Sequence, residues 1–464
     1  MNEQKRLLKN TGIIAIGNLS TKLVSFLLLP LYTAVLSTSE YGIIDYIISI
    51  SIFCAPAISL LMEESMFRFL IDCRNEEDKT NVISMALMYI LAGGIVFVLI
   101  AIPVLGIIKY QYSFYLIVYV LSVVISGMIS ALLRGIGRTD KYAIYNFLMS
   151  FCQLVLNVLF IAVFYWGVRG MLLASIVSHF LFSIVYITRL RLWNYISFKK
   201  LDKKLAKEMI KYSIPLIPNK LSWTIINLSD RIIIMNVIGS EASGLYAVSY
   251  KFPNLMDTVY GFFYQSWKES SARVVNQEGQ NAFYDQIYGY LKSFMYSIVL
   301  GMTAFMPLVF HFMIDSRYNE AILYVPLLLM GTYFANISGF YGGIFTAHKE
   351  TKIMGTTTLV AATLNLCINL MLIWKIGLYA AAISTLLANM IVYCYRKVRV
   401  RKYVMLKENN LKMVVSWIAT LVIFGLFYSK NIYMQTVGCI CAVVYAVWDN
   451  YKLLLLILRR GKSH

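Results

Sequence analysis

The chain has 464 residues, of which 59% are hydrophobic and only 14% are charged. A soluble domain carries about 25% charged residues, so this composition excludes an ordinary soluble enzyme. The formal net charge of +19 would suggest a nucleic-acid partner in a soluble protein. Membrane proteins, however, collect lysine and arginine in cytoplasmic loops, and we therefore expect no nucleic-acid partner.

Apolar runs long enough to cross a bilayer as helices recur along the whole chain, whereas the alternating pattern of a membrane barrel is absent. We predict an all-α polytopic membrane protein with about 14 transmembrane helices. In chain order, the predicted spans lie near residues 8–34, 41–63, 81–107, 112–134, 143–166, 168–188, 212–238, 244–267, 287–312, 321–346, 355–375, 378–396, 411–429 and 432–457.

The basic residues favour one side of these spans. With the N-terminus in the cytoplasm, 32 of the 42 lysines and arginines belong to cytoplasmic segments. Five belong to the opposite loops: Lys109, Arg169, Arg317, Lys375 and Lys430. This asymmetry predicts a protein of the bacterial cytoplasmic (inner) membrane with both termini in the cytoplasm. The opposite loops are too short to hold a catalytic domain.

Spans 1–6 and 7–12 have the features of two copies of one unit. Gly167 falls on Gly377, while Gln153 and Asn157 fall on Asn365 and Asn369 at a nearly constant offset. Transporters built from such repeats carry their sites between the halves. We predict an N-terminal six-helix lobe at 1–192, a cytoplasmic linker at 193–211, a C-terminal six-helix lobe at 212–400 and a two-helix C-terminal hairpin at 401–464.

Charged side chains stand inside three predicted spans, where they are costly and usually face a cavity or a partner. At 100° per residue, Lys220, Asn227 and Arg231 share one face of span 7. The candidates are Asn18 and Lys22 on span 1, Lys220, Asn227, Asp230 and Arg231 on span 7, and Lys251 and Asp257 on span 8.

The cations in these spans outnumber the carboxylates, which favours a cavity for a phosphate-bearing ligand. The predicted substrate-binding residues are Lys22, Lys220, Arg231, Lys251, Asn18 and Asn227. Asp230 and Asp257 are predicted to form ion pairs, and Glu64 to form a gate pair at the edge of span 2. The alternative is a purely structural network in which Asp230 pairs with Lys251 or Lys22. No motif indicates a metal, a cofactor or a catalytic residue.

Several segments together resemble a known family: Ile214-Pro215, Ser229 to Ile234, Gly244 to Lys251, Tyr318 to Ala321, Ala347 to Thr351 and Asn365 to Gly377. In their order and spacing the chain resembles the bacterial polysaccharide flippases, which move lipid-linked oligosaccharides. That family belongs to a superfamily that also holds the multidrug and toxin extrusion antiporters.

The resemblance implies two lobes around a central cavity that opens alternately to each side. It implies an undecaprenyl-pyrophosphate-linked oligosaccharide as cargo, membrane lipids as surroundings, and polymerase and glycosyltransferases of the same pathway as partners. The product would be a surface polymer such as lipopolysaccharide O-antigen, capsule or exopolysaccharide. Spans 13 and 14 exceed the twelve-span core, as in longer members of the family, and the resemblance implies an accessory hairpin or a lipid groove. Two alternatives stay open: a cation-coupled multidrug antiporter, and a membrane polysaccharide polymerase or glycosyltransferase.

Overall fold

The computed structural model describes residues 26–197, 203–275, 277–348 and 350–461, and every regular element in these ranges is helical. The helices are α1 Leu29–Val35, α2 Thr38–Ser59, α3 Met62–Asp72, α4 Glu76–Ile108, α5 Ser113–Gly135, α6 Thr139–Asn157, α7 Gly167–Arg189, α8 Lys203–Ser213, α9 Leu216–Val237, α10 Ser240–Ser249, α11 Lys251–Val274, α12 Gln280–Met313, α13 Val325–Ala347, α14 Thr351–Ile376, α15 Leu378–Val400, α16 Asn410–Tyr428 and α17 Ile432–Gly461. A π-helical turn, Val158–Val163, prolongs α6, and 3-10 turns cover Leu192–Tyr195 and Ser316–Tyr324.

Within the described ranges, eleven helical segments are long and apolar enough to cross a membrane. They coincide with predicted spans 2–6 and 9–14. Spans 7 and 8 correspond to α9 and α11, which have the necessary length but are less apolar. Span 1 lies almost entirely outside the described residues, and α1 forms its end. The prediction of an all-α multi-pass protein with about fourteen membrane helices is confirmed.

The chain divides into two compact units at Met235 and Asn236, near the end of α9. Within the first unit, α5 and α6 both pack against α7, and within the second, α13 and α14 both pack against α15. A glycine with positive φ stands at the start of the last helix of each trio: Gly167, the first residue of α7, has φ +52°, and Gly377, directly before α15, has φ +58°. These backbone angles favour glycine because it lacks a Cβ. The predicted lobe boundaries at 192 and 212 stay predictions.

Equivalent side-chain hydrogen bonds also occur within each of the two units. Gln153 on α6 donates to Ser175 Oγ on α7 at 2.7 Å. At the corresponding place in the second unit, Asn365 on α14 donates to Thr385 Oγ1 on α15 at 3.0 Å. The internal repeat that the sequence indicates therefore extends to the polar contacts that join neighbouring helices.

Predicted span 2 begins and ends earlier in the structure than expected, at Thr38 and Ser59. A capping box between Ser37 and Glu40 begins α2, and the helix ends at Ser59 because Leu60 and Leu61 adopt φ of 51° and 52°. The chain then continues as the separate helix α3, which packs against α4, α5 and α8. Helix α8 covers the C-terminal part of the predicted linker.

The C-terminal helices α16 and α17 pack against each other and against α12 within the second unit. Asn409 caps the start of α16 by accepting a hydrogen bond from the backbone N–H of Lys412. Asn450 on α17 donates to Ser297 Oγ on α12 at 2.8 Å. The two helices form a hairpin attached to α12, in agreement with the predicted fold class.

Candidate substrate site in the membrane helices

Helix α2 carries a polar stripe on one buried face. Tyr41, Asp45 and Ser49 follow each other at intervals of four residues, a spacing that places side chains on the same side of a helix. All three are buried, with relative exposures of 3%, 7% and 0%. A polar stripe in an apolar span indicates contact with another polar group, since buried polar groups need partners.

Arg231 on α9 supplies one such partner. Its Nη1 donates to Asp45 Oδ1 at 2.7 Å, and the two side chains are only 12% and 9% exposed. Removing both charges from water is expensive, and their mutual attraction compensates for this cost only when geometry and hydrogen bonding are good. The pair therefore joins α2 to α9 and holds a guanidinium inside a membrane helix.

Two tyrosines extend this pair into a larger group of polar side chains. The rings of Tyr41 and Tyr32 lie 6.1 Å apart, and Asn157 at the end of α6 donates to the Tyr32 hydroxyl at 3.0 Å. We call Tyr32, Tyr41, Asp45, Asn157 and Arg231 the polar cluster of the first unit. It connects four helices of that unit with groups that suit a polar ligand better than a lipid tail.

A second charged contact lies near the break between α2 and α3. Burial raises the pKa of Glu63, whereas a side-chain hydrogen bond with Ser59 and the positive charge of Lys220 lower it. Lys220 is exposed and lies on the same helix as Arg231, eleven residues earlier, or roughly 16 Å along the axis. Two cations of α9 thus act on carboxylates near opposite ends of α2.

The remaining predicted residues fall at different places in the structure. Asp230 is buried with a relative exposure of 2%. Lys251, half-buried, is the first residue of α11, and Asp257 lies exposed on the same helix. Glu64 is exposed in the first turn of α3. Asn18, Lys22 and the side chain of Asn227 lie outside the described residues. The suggested pairing of Asp230 with Lys251 or Lys22 stays a prediction.

Asp45 was missed by the sequence reasoning, which considered only Asp230 and Asp257 as carboxylates near the cations. Asp45 stands in a predicted span, so the rule that singles out Arg231 also applies to it. Its pairing with Arg231 reduces the positive excess that the sequence suggests. The cluster is therefore a compensated site, in which the carboxylate already accepts from the guanidinium.

Arg396 is the last residue of predicted span 12, and the structure buries it within α15 at 4% exposure. Its guanidinium donates to Thr357 Oγ1 at 2.7 and 2.9 Å and to the backbone oxygen of Ser338 at 3.2 Å. These bonds link α13, α14 and α15. An arginine just past an apolar stretch carries no sequence signal that separates such a structural role from a loop position.

Solved structures with the same fold are transporters. The chain aligns over 84% of its length with 98% of a structure described as the inward-facing conformation of a multidrug resistance MATE family transporter of the MOP superfamily, at 15% identity and a TM-score of 0.67. An outward-facing structure of a transporter of the same description gives a TM-score of 0.55 at 16% identity, covering 85% of this chain and 95% of that one. At these identities the likeness establishes the fold alone.

A further structural neighbour comes from Pyrococcus furiosus Vc1. It is a MOP superfamily transporter described as having a binding pocket of reverse polarity that suggests a different function. The TM-score is 0.52 at 16% identity, with 85% of this chain and 95% of that chain covered. The fold is therefore shared with transporters that are described differently.

The fold defines the class as a multi-pass helical membrane protein. A family model described as polysaccharide biosynthesis protein matches residues 7–267, more than half of the chain. The chain belongs to this polysaccharide biosynthesis family. It is also 27% identical over 239 residues to the uncharacterized membrane protein MJ1068 of Methanocaldococcus jannaschii. That match covers 47% of this chain and 46% of the relative, about half of each.

Proposed function

We propose that the protein is a flippase that moves polyprenyl-pyrophosphate-linked oligosaccharide units across the cytoplasmic membrane for surface polysaccharide synthesis. The proposal is carried by one observation: Arg231 stands buried among polar side chains inside the membrane helices of a polysaccharide biosynthesis family member. In this proposal the sugar crosses through a polar cavity by alternating access, while the polyprenyl tail remains in lipid. No covalent bond is made or broken.

The Asp45–Arg231 pair suggests how cargo is accepted. A buried guanidinium needs a negative partner, and pyrophosphate offers the bidentate oxygen geometry that arginine prefers. In the proposed cycle Asp45 holds Arg231 while cargo is absent and yields it to pyrophosphate when cargo enters. Lys22, Lys220 and Lys251 would add positive charge, and Asn18 and Asn227 would bond to sugar or phosphate. Asp230, Asp257 and Glu64 would exchange ion pairs between conformations.

The proposal is tested with the purified chain in vesicles that contain a fluorescent lipid-linked oligosaccharide. Translocation is measured as protection from a membrane-impermeant reagent. We expect Arg231→Glu to lower the rate at least about tenfold, because loss of one charged contact to a phosphate group costs about 1.5–3 kcal/mol and reversal adds repulsion. The control is Arg273→Glu, at a side chain 70% exposed on α11. Full translocation by Arg231→Glu would contradict the site assignment.

The same vesicles separate the two alternatives. A multidrug antiporter would move cationic drugs in exchange for protons or sodium ions that flow down an imposed gradient. This transport would not depend on lipid-linked sugar. A polymerase or glycosyltransferase would lengthen the labelled sugar, which chromatography of the extracted lipid detects. We expect the label to change leaflets with its mass unchanged and the drugs to stay where they are.

A further inference from the structure

The second unit contains a cavity of about 950 Å³ that the proposed cargo site does not use. It lies between α12, α13, α15 and the C-terminal hairpin of α16 and α17. Lysines and tyrosines dominate its polar lining: Tyr288, Lys292, Tyr296, Tyr333, Lys397 and Lys412. A cavity with both aromatic walls and positive charge has the composition of a ligand site more than of a packing defect.

Two lysines share one carboxylate in this cavity. Lys397 Nζ lies 2.7 Å from Glu408 Oε2, and Lys292 Nζ lies 3.7 Å from Glu408 Oε1. The three side chains are 27%, 27% and 19% exposed. Burial raises the pKa of Glu408, but its bonds to Lys397 and the charge of Lys292 outweigh this effect and hold the pKa below its ordinary value. Glu408 is therefore negatively charged. It compensates one of the two lysines, which leaves one positive charge without a negative partner in this trio.

A second carboxylate on the wall, that of Asp449, is already neutralised. Lys412 Nζ lies 2.6 Å from Asp449 Oδ1, and the Tyr445 hydroxyl donates to Asp449 Oδ2 at 3.3 Å. The described lining contains five lysines and three carboxylates. The residues not yet named are Lys407, Lys452 and Asp285. This excess of positive charge favours an anionic ligand, such as one that carries a phosphate group.

Asn450 provides a second, independent indication of a ligand. It lines the cavity, is only 9% exposed, and uses its Nδ2 to donate to Ser297. Its Oδ1 has no hydrogen-bond partner among the described residues. A buried carbonyl oxygen without a donor costs about 1–3 kcal/mol. A ligand hydroxyl would satisfy it.

The cavity borders an apolar outer face. Trp417 on α16 both lines the cavity and is 52% exposed, and Leu421, one turn further, is 74% exposed. In a protein that spans a membrane, such exposed faces contact acyl chains. A ligand with a charged head and apolar chains therefore fits the cavity and its rim better than a soluble anion.

We propose that this cavity binds the phosphate head group of an anionic, hydroxyl-bearing membrane phospholipid, with its acyl chains on the exposed face of α16. Basic pockets between membrane helices on the cytoplasmic side bind such lipids, and the predicted topology places these lysines on that side. The inference does not depend on the identity of the transported cargo. The phospholipid would fix the hairpin against α12 and α15.

Native mass spectrometry of the purified full chain tests the proposal with phosphatidylglycerol and phosphatidylcholine at equal concentration. We expect a clear preference for phosphatidylglycerol. Lys292→Gln should reduce the preference by about fivefold, the effect of one lysine near an anionic lipid. Lys397 still neutralises Glu408 in that variant, so the fold is preserved. Glu408→Gln changes the charge in the opposite direction and should increase the preference. Lys430→Gln, at an exposed lysine outside the cavity, is the matched control.

Two further ligands identify the source of the phosphate. Inorganic phosphate that displaced phosphatidylglycerol at equal concentration would overturn the lipid assignment. Polyprenyl phosphate that bound in preference to phosphatidylglycerol would assign the cavity to the carrier lipid and equally overturn it. Equal binding of phosphatidylglycerol and phosphatidylcholine to the unchanged chain, or an unchanged preference in both Lys292→Gln and Glu408→Gln, would exclude an anionic head-group site altogether.

Discussion

At the scale of single residues, the Asp45–Arg231 pair combines a structural and a functional demand. Each partner is nearly buried, so each depends on the other for compensation of its charge. Exposed pairs such as Arg273–Glu269, at 70% and 52% exposure, carry no comparable dependence. In the proposed cycle Asp45 releases Arg231 when phosphate enters, so the guanidinium exchanges one negatively charged partner for another.

This dependence predicts an asymmetric double-mutant cycle. Asp45→Asn leaves the Arg231 guanidinium without its carboxylate and should destabilise the protein by about 3–5 kcal/mol. The double variant Asp45→Asn/Arg231→Gln removes both charges and should recover much of that loss. Denaturation in detergent measures both, with Glu269→Gln as the exposed control, expected to change stability by less than about 1 kcal/mol. Additive losses in the double variant would show that the pair is not coupled.

At the scale of helices, a close crossing of α2 and α4 fixes the position of the polar stripe. Gly93 on α4 approaches the backbone of Ile58 so closely that a Cβ would stand 1.9 Å from the Ile58 carbonyl oxygen. Backbone atoms have little freedom to yield. The crossing lies one residue before Ser59, where α2 ends.

Gly93→Ala should therefore push α2 and α4 apart and destabilise the first unit by about 1–3 kcal/mol or more, the usual cost of overpacking. The neighbouring Gly94→Ala is the matched control, because its Cβ would meet only the flexible Leu121 side chain at 3.4 Å. Thermal unfolding followed by size-exclusion chromatography compares the two. If both variants melted like the unchanged chain, the close crossing would be wrong.

Helix boundaries illustrate what sequence reasoning captures and what it leaves out. Hydropathy located the apolar part of each span, but α4 begins at Glu76, before the predicted 81, because Asn75 caps its polar first turn. The break at Leu60 and Leu61 has no signal in an apolar run, since only the backbone angles of two leucines produce it. Conversely, the left-handed turns at Gly167 and Gly377 agree with the predicted repeat because they need glycine itself.

At the scale of the whole molecule, the repeat could be predicted because equivalent side chains perform equivalent tasks, as Gln153 and Asn365 do. The partner of Arg231, in contrast, could not be predicted from the sequence. Its choice among Asp45, Asp230 and Asp257 depends on which helices meet, and an intramembrane charge in a sequence reveals a need for compensation without naming its source. Four of the five lysines of the second-unit cavity were hidden for a related reason, since loop counting treats basic residues near span ends as topology signals. Lys292 stands inside predicted span 9 and was not singled out.

The predicted topology is the property of the whole chain that governs every directional statement about transport. The opposite loops contain exposed Lys109, Lys375 and Lys430, and the cytoplasmic segments contain exposed Lys268 and Arg399. Single cysteines at these positions, in a background without the seven native cysteines, report their side by reaction with a membrane-impermeant maleimide.

In intact cells we expect labelling at the first three positions and none at Lys268→Cys or Arg399→Cys, which should react only after permeabilisation. The physical reason is the retention of lysine- and arginine-rich loops in the cytoplasm. Labelling in intact cells at Lys268→Cys and Arg399→Cys, with protection at the other three, would show that the topology is the inverse of the predicted one. Inversion would place the lysine-lined cavity of the second unit at the outer leaflet and the exposed end of α4 at Lys109 in the cytoplasm.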